Sequence, residues 1–264
     1  MIIKSHSEIG TVVSNERGAE DIWEMEIFAP KIANDALPGQ FVHIRCNSGF
    51  NPLLRRPMSI GPVDNEQISL IYAVHGEGTR ILTEKKAGDD IDLIGPLGSS
   101  FTKPEPDVTP IFVAGGIGIV PLLSCYDTLS DPDNAHFILG VKSMMYMPIS
   151  EKEVVRRNIQ ISTDDGSIGH HGNVVQLLQK TVSDIDIKLI KVYGCGPTPM
   201  MCALKDFCID HSIHAEISLE VPMGCAVGAC QSCAVRRADG NGYYLVCRDG
   251  PVFHIEEVDI SHGG

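Results

Sequence analysis

Cys225, Cys230, Cys233 and Cys247 stand in the order C-x4-C-x2-C-x13-C, four of the nine cysteines in the chain. Thiolates so spaced bind metal. Zinc ribbons usually pair two short C-x2-C knuckles, and only one occurs here. Three cysteines spaced C-x4-C-x2-C with a distant fourth are instead the plant-type [2Fe–2S] pattern. The surrounding loop suits that chemistry. Gly224, Ala226, Gly228, Ala229 and Ala234 are small, so backbone amides can approach the sulfides and offset their negative charge. The spacing points to an iron–sulfur cluster, with zinc or unligated buried thiols as the alternatives. Of the remaining cysteines, Cys202 and Cys208 share one helical stretch and read as core, and Cys46 and Cys125 have no partner in spacing. Cys195 belongs to a second constellation.

That constellation is built of glycine turns. "AGGIG" (114–118) follows an apolar run and opens a helical one, and "YGCGP" (193–197) repeats the device. Small residues let the backbone reach a pyrophosphate, and a helix N-terminus offers free N–H groups. Two such turns at strand carboxyl ends in one sheet line one crevice. Gly115, Gly116, Gly118, Gly194, Gly196 and Pro197 are therefore candidate dinucleotide contacts. After a third strand the chain reads Ser162, Thr163, Asp164, Asp165. Carboxylates there repel a 2′-phosphate and accept a ribose hydroxyl, so NAD is expected over NADP, with Asp164 as the acceptor. Upstream, "LLRRPMSI" (53–60) sets Arg55 and Arg56 beside Pro57, and guanidinium groups pair with phosphate oxygens. "IYAVHGEGTR" (71–80) adds Tyr72 and a Gly-x-Gly-Thr that can open a helix against a phosphate. The structural alternatives are a solvated turn for the arginines and a buried thiol for Cys195. His170 and His171 are adjacent and lack a third ligand, so they read as loop. Glu220, just before the cysteine loop, is either structural or faces a cofactor.

These groups need elements to hold them. A chain of 264 residues suits two compact domains, or two plus a small appendage. Hydrophobic content of 43% and charged content of 21% are those of a globular protein, and a net charge of −13 argues against a nucleic-acid partner. "MIIKSHSEIG" lacks the apolar core of a signal peptide, and an odd cysteine count makes a disulfide framework unexpected, so a cytoplasmic chain is expected. The long uncharged run 108–126 is broken by "GGIG" and Pro121, which predicts strand, turn and helix rather than a membrane span. Residues up to about 100 read as short strands with turns, an antiparallel barrel or sandwich, with a helix over 79–86. A Pro-rich connector, 103–110, leads into alternating strands and helices, which predict a parallel sheet with crossover helices. From about Ile213 the chain turns irregular and cysteine-rich.

In order and spacing "RRPMSI", "HGEGT", "AGGIG" and "YGCGP" resemble the ferredoxin–NADP reductase superfamily. With "STDDGSIGHHGNV" and the C-terminal cysteines, the chain from about 1 to 255 resembles the electron-transfer subunits of the NAD-linked (class B) dihydroorotate dehydrogenases. The resemblance implies an antiparallel six-stranded flavin-binding β-barrel over 1–102, a parallel-sheet α/β NAD-binding domain over 103–212 and a small C-terminal [2Fe–2S] domain over 213–264. It implies FAD held along Arg55, Arg56, Pro57, Met58 and Ser59 and along Tyr72, Ala73 and Val74, with Gly78 and Thr79 at the pyrophosphate. Ser59 would meet the flavin ring edge and Cys195 would lie near the nicotinamide. Met58 stands where many members carry Tyr or Phe on the ring, which leaves Tyr72 as the candidate stacking residue. Cys225, Cys230, Cys233 and Cys247 would hold the cluster. NAD would be a substrate, and the partner an FMN-containing subunit that oxidises dihydroorotate to orotate in pyrimidine biosynthesis, in a heterotetramer of two of each. The three units use the whole chain and leave no stretch for an organic-substrate pocket, which favours a partner that holds one. A reductase for another acceptor (ferredoxin, hydrogenase or polysulfide) and a zinc-binding module are the alternatives.

Overall fold

Alternation builds the first sheet. In β1 (His6–Ala19) Glu8, Gly10 and Val12 are buried while Ser7, Ile9 and Thr11 face out. The computed structural model describes residues 4–260. β2 (Ile22–Phe28), β3 (Phe41–Arg45), β4 (Arg56–Ser59), β5 (Val63–Asp64), β6 (Gln67–Ala73) and β7 (Asp90–Leu97) join β1 in an antiparallel sheet ordered β4-β3-β7-β1-β2-β6-β5. Met25, Ile27, Ile44, Ile68, Leu70 and Ile91 fill its interior. The barrel thus has seven strands where six are expected. The extra one is the two-residue β5, made because Asn65 and Glu66 adopt positive φ (44° and 65°) and close a tight hairpin onto Gln67. Helices α1 (Pro30–Asp35) and α2 (Glu77–Leu82) flank the sheet. α2 starts two residues before the expected position 79, because the Thr79 hydroxyl accepts the His75 and Gly76 amides and closes the first turn.

Continuous apolar runs build the second sheet, as expected of strands covered on both faces. Its strands are β8 (Thr109–Gly115), β9 (His136–Val141), β10 (Ile159–Thr163), β11 (His170–His171), β12 (Ile190–Cys195) and β13 (His214–Ser218), all parallel. Helices α3 (Ile119–Tyr126), α4 (Glu151–Arg156), α5 (Val174–Thr181) and α6 (Thr198–Asp210) make the crossovers. The two histidines read as loop form the edge strand β11. β13 carries the sheet past residue 212, where the cysteine-rich unit is expected to begin. Beyond it lie β14 (Ala234–Arg237), β15 (Tyr243–Leu245), the short helix α7 (Val246–Asp249), β16 (Val252–His254) and β17 (Val258–Asp259). β15, β14 and β17 form a small separate sheet, while β16 returns antiparallel to β13 and completes the order β11-β10-β9-β8-β12-β13-β16. The order reverses between β8 and β12, so the crevice outside their carboxyl ends is the switch point where such sheets bind ligands. Among the described residues no helix is long and apolar enough to cross a membrane.

His43 on β3 is 2% exposed, and its Nε2 has no hydrogen-bond partner among the described residues. Burial, helped by the Arg55 guanidinium, pulls its pKa from 6.5 down to about 4. Between those values the unfolded chain holds a proton that the folded chain refuses, so stability rises with pH across the window and is lost as pH falls. Wild type is expected to lose about 2 kcal/mol more than His43→Leu between pH 7 and pH 5, measured by urea unfolding.

Candidate cofactor sites

A cavity of about 350 Å³ lies where barrel, second sheet and cysteine segment meet, within the size range of small-molecule sites. β4 lines it with Arg56, Pro57, Met58 and Ser59, and β6 with Ile71, Tyr72 and Ala73. His75 and Thr79 follow from the start of α2. Ile117 and Val120 enter from the first glycine turn, and Ser218 to Met223 form a third wall that leads directly into the cysteine loop.

Arg56 lines the cavity beside the start of α2. Its Nη1 donates to the Leu54 carbonyl at 2.8 Å, and its guanidinium lies against Gly78, where a Cβ would stand 2.7 Å from Nε. Gly78→Ala would therefore displace the guanidinium rather than the backbone. FAD binding is expected to weaken about 10- to 100-fold with little change in melting temperature, the value of a charge-assisted hydrogen bond or two. Equilibrium dialysis of FAD against the variant checks it.

Arg55 faces elsewhere. It pairs with Asp92 at 2.7 Å and donates to the Asp92 carbonyl at 2.9 Å, bracing β4 against β7. Arg55 precedes β4 and its guanidinium is held on the His43 carbonyl and on Asp92, so of the two neighbouring arginines only Arg56 lines the cavity. Val74 also lies outside the cavity lining, and packs on the barrel core. Tyr72 lines the cavity but is 2% exposed, and its hydroxyl donates to Asn15 Oδ1 at 3.0 Å. Its ring is locked in the barrel core, so the half-buried Met58 presents more surface to the cavity than the expected stacking residue.

The two glycine turns touch through their backbones. A Cβ on Gly118 would lie 2.5 Å from the Cys195 oxygen and 2.8 Å from the Gly196 nitrogen. Gly115 packs against Pro197 and Met200, and Gly194 faces α6 at Leu204. Gly116, with φ of +53°, has open space before it and is the position where the backbone can meet a ligand. Cys195 is fully buried beside its ladder partner Ser218, so it adjoins the cavity wall without lining it. Burial, with the Glu220 carboxylate, pushes the Cys195 thiol well above its ordinary range. It stays protonated at neutral pH. Glu220 lines the cavity, and the protein crowded around it raises its carboxyl above the usual range. After β10, Asp165 is engaged within its own loop: it accepts the Ser167 amide at 2.9 Å, and the Ser167 and Ser143 hydroxyls help hold it below the usual carboxylate range. Asp164 keeps an exposed carboxylate.

Positive φ at Ala226 (58°), Gly228 (79°) and Gln231 (60°) winds the cysteine loop so that amides point at sulfur. Cys230 N donates to Cys225 Sγ at 3.3 Å, and Gly228 N to Cys247 Sγ at 3.2 Å. Cys247, on α7, brings its Sγ within 3.3 Å of Cys233 Sγ. Among the described residues no three His, Cys, Asp or Glu side chains gather as they would about a single metal ion. The contacts join Cys225 to Cys230 and Cys233 to Cys247, two pairs, which suits a binuclear cluster held by four thiolates. Cys230 is exposed, and the Ser232 hydroxyl and amide, then Cys225, pull its thiol down to about 6. Cys247 is pushed up to about 12 by burial and by the neighbouring Cys233 thiol.

Residues 220–259 match the family described as the iron–sulfur cluster binding domain of dihydroorotate dehydrogenase B. Over 256 residues, 95% of this chain and 98% of the relative, the sequence is 36% identical to the electron transfer subunit of dihydroorotate dehydrogenase B (NAD(+)) from Bacillus velezensis. The chain belongs to this family of electron transfer subunits. The corresponding subunit of Caldanaerobacter subterraneus subsp. tengcongensis is 37% identical, covering 94% of this chain and 96% of that one. Among solved structures, an NADH-dependent reduced ferredoxin–NADP oxidoreductase superposes with a TM-score of 0.82 at 26% identity, covering 96% of this chain and 91% of that one. Phthalate dioxygenase reductase shares the fold, with a TM-score of 0.62 at 19% identity and coverage of 91% and 94%. Members of the family are NAD-linked flavin and iron–sulfur oxidoreductase subunits, and so is this chain.

Apart from Glu220, the third cavity wall, Ser218 to Met223, together with Ile117 and His75, escapes the sequence reading. Its one sequence signal is position. "SLEVPM" runs without a break into the first ligand cysteine, so whatever holds one end of it brings the other near the cluster.

Proposed function

We propose that this chain carries electrons between NAD(H) and the FMN of a catalytic subunit that oxidises dihydroorotate to orotate in pyrimidine biosynthesis, as two copies of each subunit in the cytoplasm. The observation that carries it is the single cavity walled by barrel, glycine turn and cysteine segment together. When bound, FAD exchanges a hydride with NAD(H) and passes single electrons to or from a [2Fe–2S] cluster. Arg56 and Thr79 hold the pyrophosphate of that FAD, Met58 packs on its ring and Ser59 meets the ring edge. Gly116 and the Gly196–Pro197 turn admit the dinucleotide, Ser218 with Cys195 behind it fixes the depth of the nicotinamide, and Asp164 accepts the ribose hydroxyls. Cys225, Cys230, Cys233 and Cys247 hold the cluster next to the cavity and at the surface, where Cys230 is exposed for a partner. The flavin unit ends near residue 102, the nucleotide unit runs to Ser218, and the cluster unit follows.

Mixing the chain with its FMN-containing partner should give orotate-dependent NADH oxidation. Absence of that activity, with reduction of a ferredoxin in its place, would move the protein to the second reading, which the likeness to the ferredoxin–NADP oxidoreductase favours. The carboxylate of Asp164 makes kcat/KM for NADH about 100-fold above that for NADPH, and Asp164→Arg should narrow the gap at least about 10-fold. Steady-state kinetics with both nucleotides decide it.

A further inference from the structure

Barrel and nucleotide sheet meet at a buried polar junction that the chemistry above leaves unused. Glu216, in the middle of β13, is 2% exposed. A carboxylate so placed is costly unless its oxygens are paired and hydrogen-bonded. Here the Thr102 amide donates to Oε2 at 2.9 Å and the Thr102 hydroxyl to Oε1 at 2.5 Å. Lys191 Nζ donates to the same Oε1 at 2.8 Å and also reaches the Thr102 hydroxyl. The Thr102 carbonyl accepts the Tyr193 hydroxyl at 2.9 Å, and Phe101 packs edge-on against the Tyr193 ring at 5.7 Å.

Thr102 ends the barrel segment and opens the connector. Its partners lie on the two strands that carry the reacting end of the sheet. Lys191 and Tyr193 are on β12, whose last residue is Cys195, and Glu216 is on β13, whose last residue is Ser218. Glu216 is two residues before Ser218, about 7 Å along the strand and on the same face. A second junction pins the barrel from the other side. The Ser99 hydroxyl donates to the Val252 carbonyl at 2.9 Å and the Ser99 amide to the Gly250 carbonyl at 2.5 Å. Apolar contact alone would let two domains slide. Directional bonds to a buried carboxylate fix one register.

We propose that the Thr102–Glu216–Lys191 junction is a positioning device that holds barrel and sheet at one angle, so that flavin cavity and nucleotide turn stand at reacting distance in the resting fold. This rests on the flavin and nucleotide reading above. A misplacement of about 1 Å costs on the order of 100-fold in rate, so a loosened junction would show in the hydride step before it showed in binding.

The variants are Thr102→Val, Glu216→Gln and the conservative Thr102→Ser, in the FAD- and iron-containing chain. Three quantities are read: the single-turnover rate of flavin reduction by NADH, the Kd of NADH, and hydrogen exchange at the amides of residues 102–109. Thr102→Val should keep FAD, iron and the NADH Kd within about twofold, slow flavin reduction at least about 10-fold and speed exchange at the connector, and Thr102→Ser should restore all three. Should Glu216→Gln fail to fold, Thr102→Val alone decides. Flavin reduction within twofold of wild type in Thr102→Val, with exchange accelerated, would overturn the proposal and leave the junction a fold-stabilising contact only. Connector exchange unchanged in that variant would overturn it too, since nothing would have loosened. A wild-type chain that binds FAD but is not reduced by NADH would sink the functional reading instead, and the exchange result would then judge the junction by itself.

Discussion

Cys230→Ser is expected to abolish electron delivery to the partner, by at least about 100-fold, while leaving NADH reduction of FAD within about threefold of wild type. The reason lies in where Cys230 sits. It is on the exposed side of a loop whose geometry comes from backbone, with positive φ at Ala226, Gly228 and Gln231 and amides aimed at Cys225 and Cys247. A serine oxygen is a poor, hard substitute for a thiolate toward iron, so the cluster is lost or its potential displaced. The cavity walls from β4 and β6 are in the barrel, and Ser218 is anchored in the sheet by pairing of β13 with β12 and β16. Those supports do not depend on Cys230. Ferricyanide reduction by NADH reports the flavin half of the path, and orotate-coupled turnover with the partner reports the whole. If both fall together and the melting temperature drops, the cluster is needed for folding and the separation of roles is wrong.

Gly118→Ala has the next largest expected effect, on the other half of the path. Its Cβ would stand 2.5 and 2.6 Å from the carbonyl oxygen and carbon of Cys195 and 2.8 Å from the Gly196 nitrogen. These are backbone atoms in buried β12 and its turn, which cannot swing aside as the Arg56 side chain can at Gly78. The two glycine turns must separate, and the nicotinamide then loses its depth setting against Ser218. kcat/KM for NADH is expected to fall about 100-fold. Overpacking of this kind costs about 1–3 kcal/mol, so the melting temperature should also drop by several degrees. FAD content should stay near wild type, because the barrel walls are untouched. Gly116→Ala is the control. It meets open space but keeps the φ of +53°, so it should cost about 1–2 kcal/mol of backbone strain without prising the turns apart. Equal kinetic damage in the two variants would contradict the contact argument.

What the sequence reveals is what chemistry forces into residue type. Glycines at strand ends, an arginine before a proline in a β-rich stretch and cysteines at cluster spacing can be read because few other residues do those jobs. Which of two adjacent arginines faces the ligand is different. Arg55 and Arg56 look equivalent until Asp92, 37 residues away, captures the guanidinium of Arg55 and leaves Arg56 to the cavity. β13 is hidden for a related reason. "HAEIS" is short and carries a glutamate at its centre, which reads as loop, and the donors that make that buried glutamate tolerable include Thr102, 114 residues away. Tyr72 is an aromatic in a cofactor motif by sequence, and in the structure it lines the cavity from the barrel core with its hydroxyl held by Asn15. Such assignments depend on long-range pairing, which local pattern does not carry.

In the proposed function one chain joins a nucleotide site, a flavin cavity and a cluster into a single electron path. Anaerobic addition of NADH to the purified chain, followed by visible absorption and low-temperature electron paramagnetic resonance on the same sample, tests it most directly. The account predicts one FAD and two irons per chain, bleaching of the flavin band, and a paramagnetic signal from the reduced [2Fe–2S] cluster that is missing in Cys230→Ser. A colourless protein with zinc on its cysteines, or a flavin that bleaches while an intact cluster stays oxidised, would contradict it.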